Sequence, residues 1–147
     1  MENILSLIGL AKKAGRVEVG EEPVGAAARA KKARIILLAG DAAPASVRRA
    51  ASFGEVGNCP LVPLAADKDR LGSCLGRTSV AMAAVTDIGF ADAIVKKLAA
   101  LDPETYGELS DQLQKKAKRA QERRQEQARH EKNLRSGKKR GESHKSN

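Results

Sequence analysis

Residues 34–41 read RIILLAGD. Ile35, Ile36, Leu37 and Leu38 are consecutive and apolar, and Gly40 and Asp41 end the run. Four apolar residues in a row leave neither face of a strand for water. The run therefore predicts a central strand with helices on both sides. Val80 to Val85 (VAMAAV) predicts a second such strand, and Leu61 to Leu64 after Pro60 a shorter one. The stretches between them are helical, at about ten residues each. Residues 3–14 put Ile4, Leu5, Leu7, Ile8 and Ala11 on one helix face, with Gly15 as C-cap. Arg16 to Val19 alternates as a very short strand. Gly20 leads the next helix, with Glu21 and Glu22 in its first turn and Pro23 where a missing N–H does no harm. Pro44 begins a third helix, with Val47, Ala50, Ala51 and Phe53 available to pack. Asp67 caps a fourth through Leu71 and Leu75. After a turn at Asp87–Gly89, Phe90 to Leu101 makes a fifth. This alternation predicts an α/β chain: a three-layer αβα sandwich around a small mixed sheet of about four strands.

The charge is distributed unevenly. The 147 residues hold 27 Lys and Arg against 18 Asp and Glu, a formal net charge of +9. Residues 1–100 contain 14 bases and 10 acids; residues 101–147 contain 13 bases and 8 acids. Large apolar residues almost vanish in the second segment, where only Leu134 follows Leu113. Such a segment cannot form a core of its own. The reading places a folded domain at 1–101, a charged amphipathic helix at 102–128 and a basic disordered tail at 129–147. Asp102 and Pro103 supply the N-cap and first turn of that helix. Tyr106, Leu109, Leu113, Ala117 and Ala120 recur along it as a stripe that fits either the domain or a partner protein.

Several function classes drop out. Aromatic residues are 2% of the chain, Phe53, Phe90 and Tyr106, too few for a base-stacking platform. No apolar run approaches the roughly 18–20 residues that cross a bilayer, so no membrane partner is expected. There is no phosphate loop and no dinucleotide fingerprint. His130 and His144 both lie in the tail, which leaves no domain histidine to activate a serine or cysteine. Cys59 and Cys74 are isolated, as free buried thiols of a reducing cytoplasm would be. Asp41, Asp67, Asp69, Asp87 and Asp92 sit at element ends, where acids ordinarily act as caps. The expectation is a cytoplasmic protein with no catalytic residue, no metal and no cofactor. Its basicity points instead to a polyanion. The blocks KKAKRAQERR and SGKKRGESHK offer Lys115, Lys116, Lys118, Arg119, Arg123, Arg124, Lys138, Lys139 and Arg140 to phosphates. The helix starts at Gly20 and at Gly40–Pro44 can also present backbone N–H groups to phosphates. Chain order places Arg77 near the opposite ends of the elements.

Taken in order, the motifs carry a resemblance. Ala14-Gly15-Arg16 follows the first helix, and Gly20-Glu21-Glu22 starts the second. Ile35–Leu38 leads into Ala39-Gly40-Asp41-Ala42-Ala43, and Cys59-Pro60 precedes the next strand. Leu71-Gly72 and Leu75-Gly76 are paired, and Val85-Thr86-Asp87 runs into Gly89-Phe90-Ala91. Over about residues 3–100 the chain resembles the bacterial YlxQ-type branch of the kink-turn RNA-binding ribosomal protein family, of the L7Ae/L30e-like superfamily. The resemblance implies an αβα sandwich that binds a sharply bent RNA through two regions, the start of the second helix and the loop before the last strand. It carries the family's helix-start positions onto Gly20, Glu22, Pro23 and Ala26, of which only the glycine is kept. The second region falls at Gly76 to Ala81. The expected RNA-binding residues are Gly20, Glu21, Glu22, Arg77, Thr78 and Ser79 in those two regions, with Arg16, Arg29 and Lys31 added by residue type as nearby bases for a less specific contact. The implied partner is ribosomal or other structured RNA, with the tail adding phosphate contacts and a link to translation. The alternative is a protein-interaction module that has lost specific RNA recognition and docks a ribosomal or other protein on the 106–120 stripe.

Overall fold

The computed structural model describes the backbone of residues 1–145 and the side chains of residues 1–135. The central run folds as β2 (Ile35–Leu38), with all four residues buried. It pairs antiparallel with β4 (Met82–Val85), which is equally buried, in the register Ile35↔Val85 to Leu38↔Met82. β1 (Val17–Val19) adds antiparallel to the outer edge of β4, and β3 (Leu61–Pro63) adds parallel to β2. The mixed sheet thus has the order β1-β4-β2-β3. Around it run α1 (Glu2–Lys13), α2 (Glu21–Arg29), α3 (Pro44–Gly57), α4 (Lys68–Cys74), α5 (Ile88–Leu101) and α6 (Pro103–Lys145).

Strand side chains alternate between faces, so the central pair feeds two cores. Ile35, Leu37, Ala83 and Val85 pack with Ile4 and Ile8 of α1, Leu71 of α4 and Ile94 and Leu98 of α5. Ile36, Leu38, Met82 and Ala84 pack with Val24 of α2 and Ala50 of α3. The three layers expected from the sequence are present. Val47 and Ala51, expected to pack, are instead exposed. The inner face of α3 is Ala50, Gly54 and Gly57. A Cβ on Gly57 would lie 3.2 Å from Ala28, so the small residues let α2 and α3 approach closely. The fifth helix also begins earlier than expected. Asp87 accepts from the Phe90 N–H at 3.0 Å, and the supposed turn becomes its first turn. Cys59 and Cys74 are free but half-buried rather than buried.

The C-terminal segment differs most from its sequence reading. α5 ends at Leu101 and α6 begins at Pro103, as the sequence divides them, but α6 then runs unbroken past 129, where a disordered tail is expected. Its first turns join the larger core: Leu113 is 1% exposed, and Tyr106 and Leu109 pack against the same cluster. Burying a leucine contributes about 1.5–3 kcal/mol, enough to fix the helix against α5. The Tyr106 hydroxyl donates to the Pro63 carbonyl, which ties the start of α6 to the end of β3. From 121 to 135 every α6 side chain is exposed. Glu, Gln, Arg and Lys are good helix formers, and charge pairs at three- and four-residue spacing add to their helicity.

Burial, with the Asp102 carboxylate adding to it, raises the Tyr106 phenol above its ordinary value of 10.0. An acid with a raised folded-state pKa favours folding below its unfolded value and loses that contribution as pH rises through the folded one. Because the chain has a single tyrosine, its ultraviolet titration reports this residue alone. The expected midpoint lies above that of free tyrosine, and the stability of the wild-type chain should fall more steeply above about pH 10 than that of Tyr106→Phe.

Candidate nucleic-acid interface

Two ends of the β2–β4 pair carry the candidate residues. At the Leu38/Met82 end, β1 delivers Gly20, whose N–H donates to the Met82 carbonyl at 3.1 Å. β2 delivers Ala39 and Gly40; Ala39 N–H donates to the Ala81 carbonyl at 2.9 Å. The start of α2 and the loop at Gly76–Ala81 therefore converge on one edge of the molecule. Arg77 is beside the Gly20 end, not opposite it as chain order suggested, because β4 enters the sheet antiparallel to both of its neighbours.

The loop is held from beneath. Val80 N–H donates to the Lys68 carbonyl at 3.0 Å and Arg77 N–H to the Gly72 carbonyl at 2.8 Å. A Cβ on Gly72 would stand 2.8 Å from the Ser79 backbone, so only glycine lets the loop rest on α4. The start of α4 is itself fixed: Asp67 caps the Arg70 N–H at 2.8 Å, and Asp41 accepts from the Lys68 N–H at 2.7 Å. The acid after β2 thus joins two loops of this end. Arg77, Thr78 and Ser79 are left exposed on a rigid base.

The start of α2 has a different electrostatic character. Gly20 sits at φ +95°, a conformation that favours glycine, and no side chain caps the helix. Glu21 and Glu22 occupy the first turn, where they oppose an incoming anion. Arg49 of α3 pairs with Glu21 at 2.9 Å and offsets one of these charges. Pro23 and Ala26 are exposed and bring neither donor nor charge.

At the Ile35/Val85 end a second group gathers. Lys31, Arg34, Lys116, Arg119 and Arg123 line a cleft of about 510 Å³ together with Asn58, Cys59 and Ile88. Arg34, Arg123 and Arg124 continue into a neighbouring hollow beside Thr86 and Asp87. Lys31 has φ +59°, in the left-handed region, and its ammonium donates to the Val56 carbonyl near the end of α3. Burial raises the Cys59 thiol above its ordinary value, against the opposing pull of Lys116 and Lys31. The thiol therefore stays protonated near neutral pH and is a poor nucleophile.

The residues singled out in the sequence fall into separate groups. Gly20, Glu21, Glu22, Arg77, Thr78 and Ser79 share the first end. Lys31 belongs to the other, about 13 Å away along nine residues of α2. Arg16, joined to Thr86 at 2.9 Å, is also at that other end. Arg29 lies at the last turn of α2, with its guanidinium folded back to 3.2 Å from a Cβ position on Gly25. Of the α6 bases, Lys116, Arg119 and Arg123 line the cleft, whereas Lys115 and Lys118 do not. Lys138, Lys139 and Arg140 lie outside the residues whose side chains are described. Arg34 was missed, because an exposed base just before a buried strand reads as a boundary marker. Among the described residues no cluster of His, Cys, Asp and Glu has the makings of a metal site, and no helix is long and apolar enough to cross a membrane.

The family described as ribosomal protein L7Ae/L30e/S12e/Gadd45 matches residues 2–95. A solved protein of unknown function from Bacillus halodurans is 29% identical, with a TM-score of 0.58, over 69% of this chain and 97% of that one. The Giardia lamblia 15.5kD RNA binding protein is 20% identical, with a TM-score of 0.54, over 66% of this chain and 85% of that one. No match is found among curated proteins.

Two substitutions check the geometry. Gly72→Ala pushes into the Ser79 backbone and should cost about 1–3 kcal/mol, read as a lower denaturant midpoint. Lys31→Gly relieves a left-handed lysine and should stabilise by about 0.5–1 kcal/mol after the added freedom of the unfolded glycine is subtracted.

Proposed function

The chain belongs to the ribosomal protein L7Ae/L30e/S12e/Gadd45 family, and from that premise we propose that it is a non-catalytic RNA-binding protein acting on structured RNA. The observation that carries this reading is the convergence of the α2 start and the 76–81 loop at one end of the sheet. These are the two regions that the family resemblance assigns to RNA. The name of the Giardia relative points the same way, as does the excess of base over acid in α6. We further assign the protein to the YlxQ-type branch, in the cytoplasm, with ribosomal RNA as the target and translation as the setting.

The electrostatics shape how the RNA is held. With two carboxylates in its first turn, α2 gives little help to a phosphate, and ionised Glu22 cannot donate to a base edge. The weight moves to Arg77, Thr78 and Ser79, which supply a guanidinium and two hydroxyls on a fixed loop. Bent RNA is then read by backbone and groove shape rather than by a base-specific clamp. The 106–120 stripe is largely occupied by the domain itself, since Tyr106, Leu109 and Leu113 pack into its core. It offers little to a partner protein.

Crosslinking in cells followed by sequencing of the bound RNA tests the proposal and identifies the target. Recovery of structured RNA supports it; recovery of a protein and no RNA overturns it. In vitro, Arg77→Ala should weaken binding to the recovered RNA by about 1–3 kcal/mol, and an unchanged affinity removes the loop from the interface.

A further inference from the structure

We propose that the cleft between α6 and the loops after α2 and α3 is a second RNA contact, one that holds the phosphodiester backbone of a duplex. It rests on the RNA-binding reading but uses none of the residues of the Gly20 end.

Five bases converge there from parts of the chain more than 80 residues apart: Lys31, Arg34, Lys116, Arg119 and Arg123. The lining contains no carboxylate. None of the five has an acidic partner among the described residues, whose ion pairs are Arg49–Glu21, Arg70–Glu2 and Lys96–Asp92. Asp87 borders the adjoining hollow of Arg34 and Arg123, but within the cleft the like charges face one another and repel, and an anion between them removes the repulsion. The backbone at Lys31 gives an independent sign. Its left-handed conformation just beyond a helix is where glycine is the ordinary choice. A lysine kept there places a charge at the cleft despite the strain. One wall of the cleft is the α6 face that carries 116, 119, 120 and 123, at three- and four-residue spacing. The two ends are about 13 Å apart along α2, too far for one phosphate to touch both. The protein would thus hold two segments of RNA, or two arms of one bend.

The test uses the full chain and two probes: an uninterrupted RNA duplex, and an RNA duplex bent by an internal bulge. Lys116→Ala/Arg119→Ala removes two cleft charges. Lys115→Ala/Lys118→Ala removes two from the same helix outside the cleft. Both leave Leu113 in place, and circular dichroism checks that α6 persists. The cleft pair should weaken binding of the uninterrupted duplex about tenfold or more and lower the salt-dependence slope by roughly two, while the control pair changes each far less. In the wild-type chain the duplex should also slow alkylation of Cys59, which lines the cleft. Equal effects of the two pairs, or none from either, overturn the proposal and leave the bases as general charge. If Arg77→Ala abolishes binding of the bent RNA while the cleft pair changes nothing, the second contact falls and the first stands. If the cleft pair acts and Arg77→Ala does not, the second contact stands and the first falls. A wild-type chain that binds neither probe removes both.

Discussion

Everything in this molecule hangs on the antiparallel pairing of β2 with β4. All eight side chains of the two strands are buried, four towards each layer of helices. Neither strand can shift by one residue without exchanging its two faces, so the register is fixed from both sides. That register places the chain's loops. Whatever leaves β2 or enters β4 is gathered at Leu38/Met82, and whatever enters β2 or leaves β4 is gathered at Ile35/Val85. The two ends therefore gain separate chemistry from one constraint.

At the first end the constraint produces rigidity. Gly20, Ala39, Ala81 and Met82 are tied by backbone hydrogen bonds, Gly72 lets Ser79 settle on α4, and Asp41 fastens α4 to the end of β2. A loop fixed in this way loses little freedom on binding, which favours recognition of a shaped ligand. At the second end the C-termini of α2 and α3 present carbonyls that favour basic side chains. α6 then brings a second set of bases to the same place. Its path follows from Leu113, which packs it beside α5, and from the hydrogen bond of Tyr106 to Pro63 at the end of β3.

The expected layers were legible because RIILLA and VAMAAV have no polar residue with which to face water. Two caps were legible for a similar local reason: Asp67 and Asp102 each accept from a backbone N–H three residues on, as Asp87 does where the sequence suggests a turn. The inner face of α3 was not. Hydrophobicity nominated Val47 and Ala51, whereas Gly57 faces inward because Ala28 of α2 is too close for a side chain, and Gly54 because the Cys59 carbonyl is. Nor was the extent of α6. Low hydrophobicity argues against an independent core, but it does not stop a helix from borrowing the core of its neighbour.

By itself, the sequence determined a three-layer α/β domain, its capped helices and a basic C-terminal segment, since each of these follows from local pattern and composition. It also carried the candidate residues by type: a glycine and two acids at one helix start, an arginine in one loop, lysines and arginines along a helix. Only the tertiary structure decided which of them meet. Arg77 joins Gly20, and Lys31 leaves it for Arg34 and Lys116, because the sheet alone determines which ends of distant elements lie together.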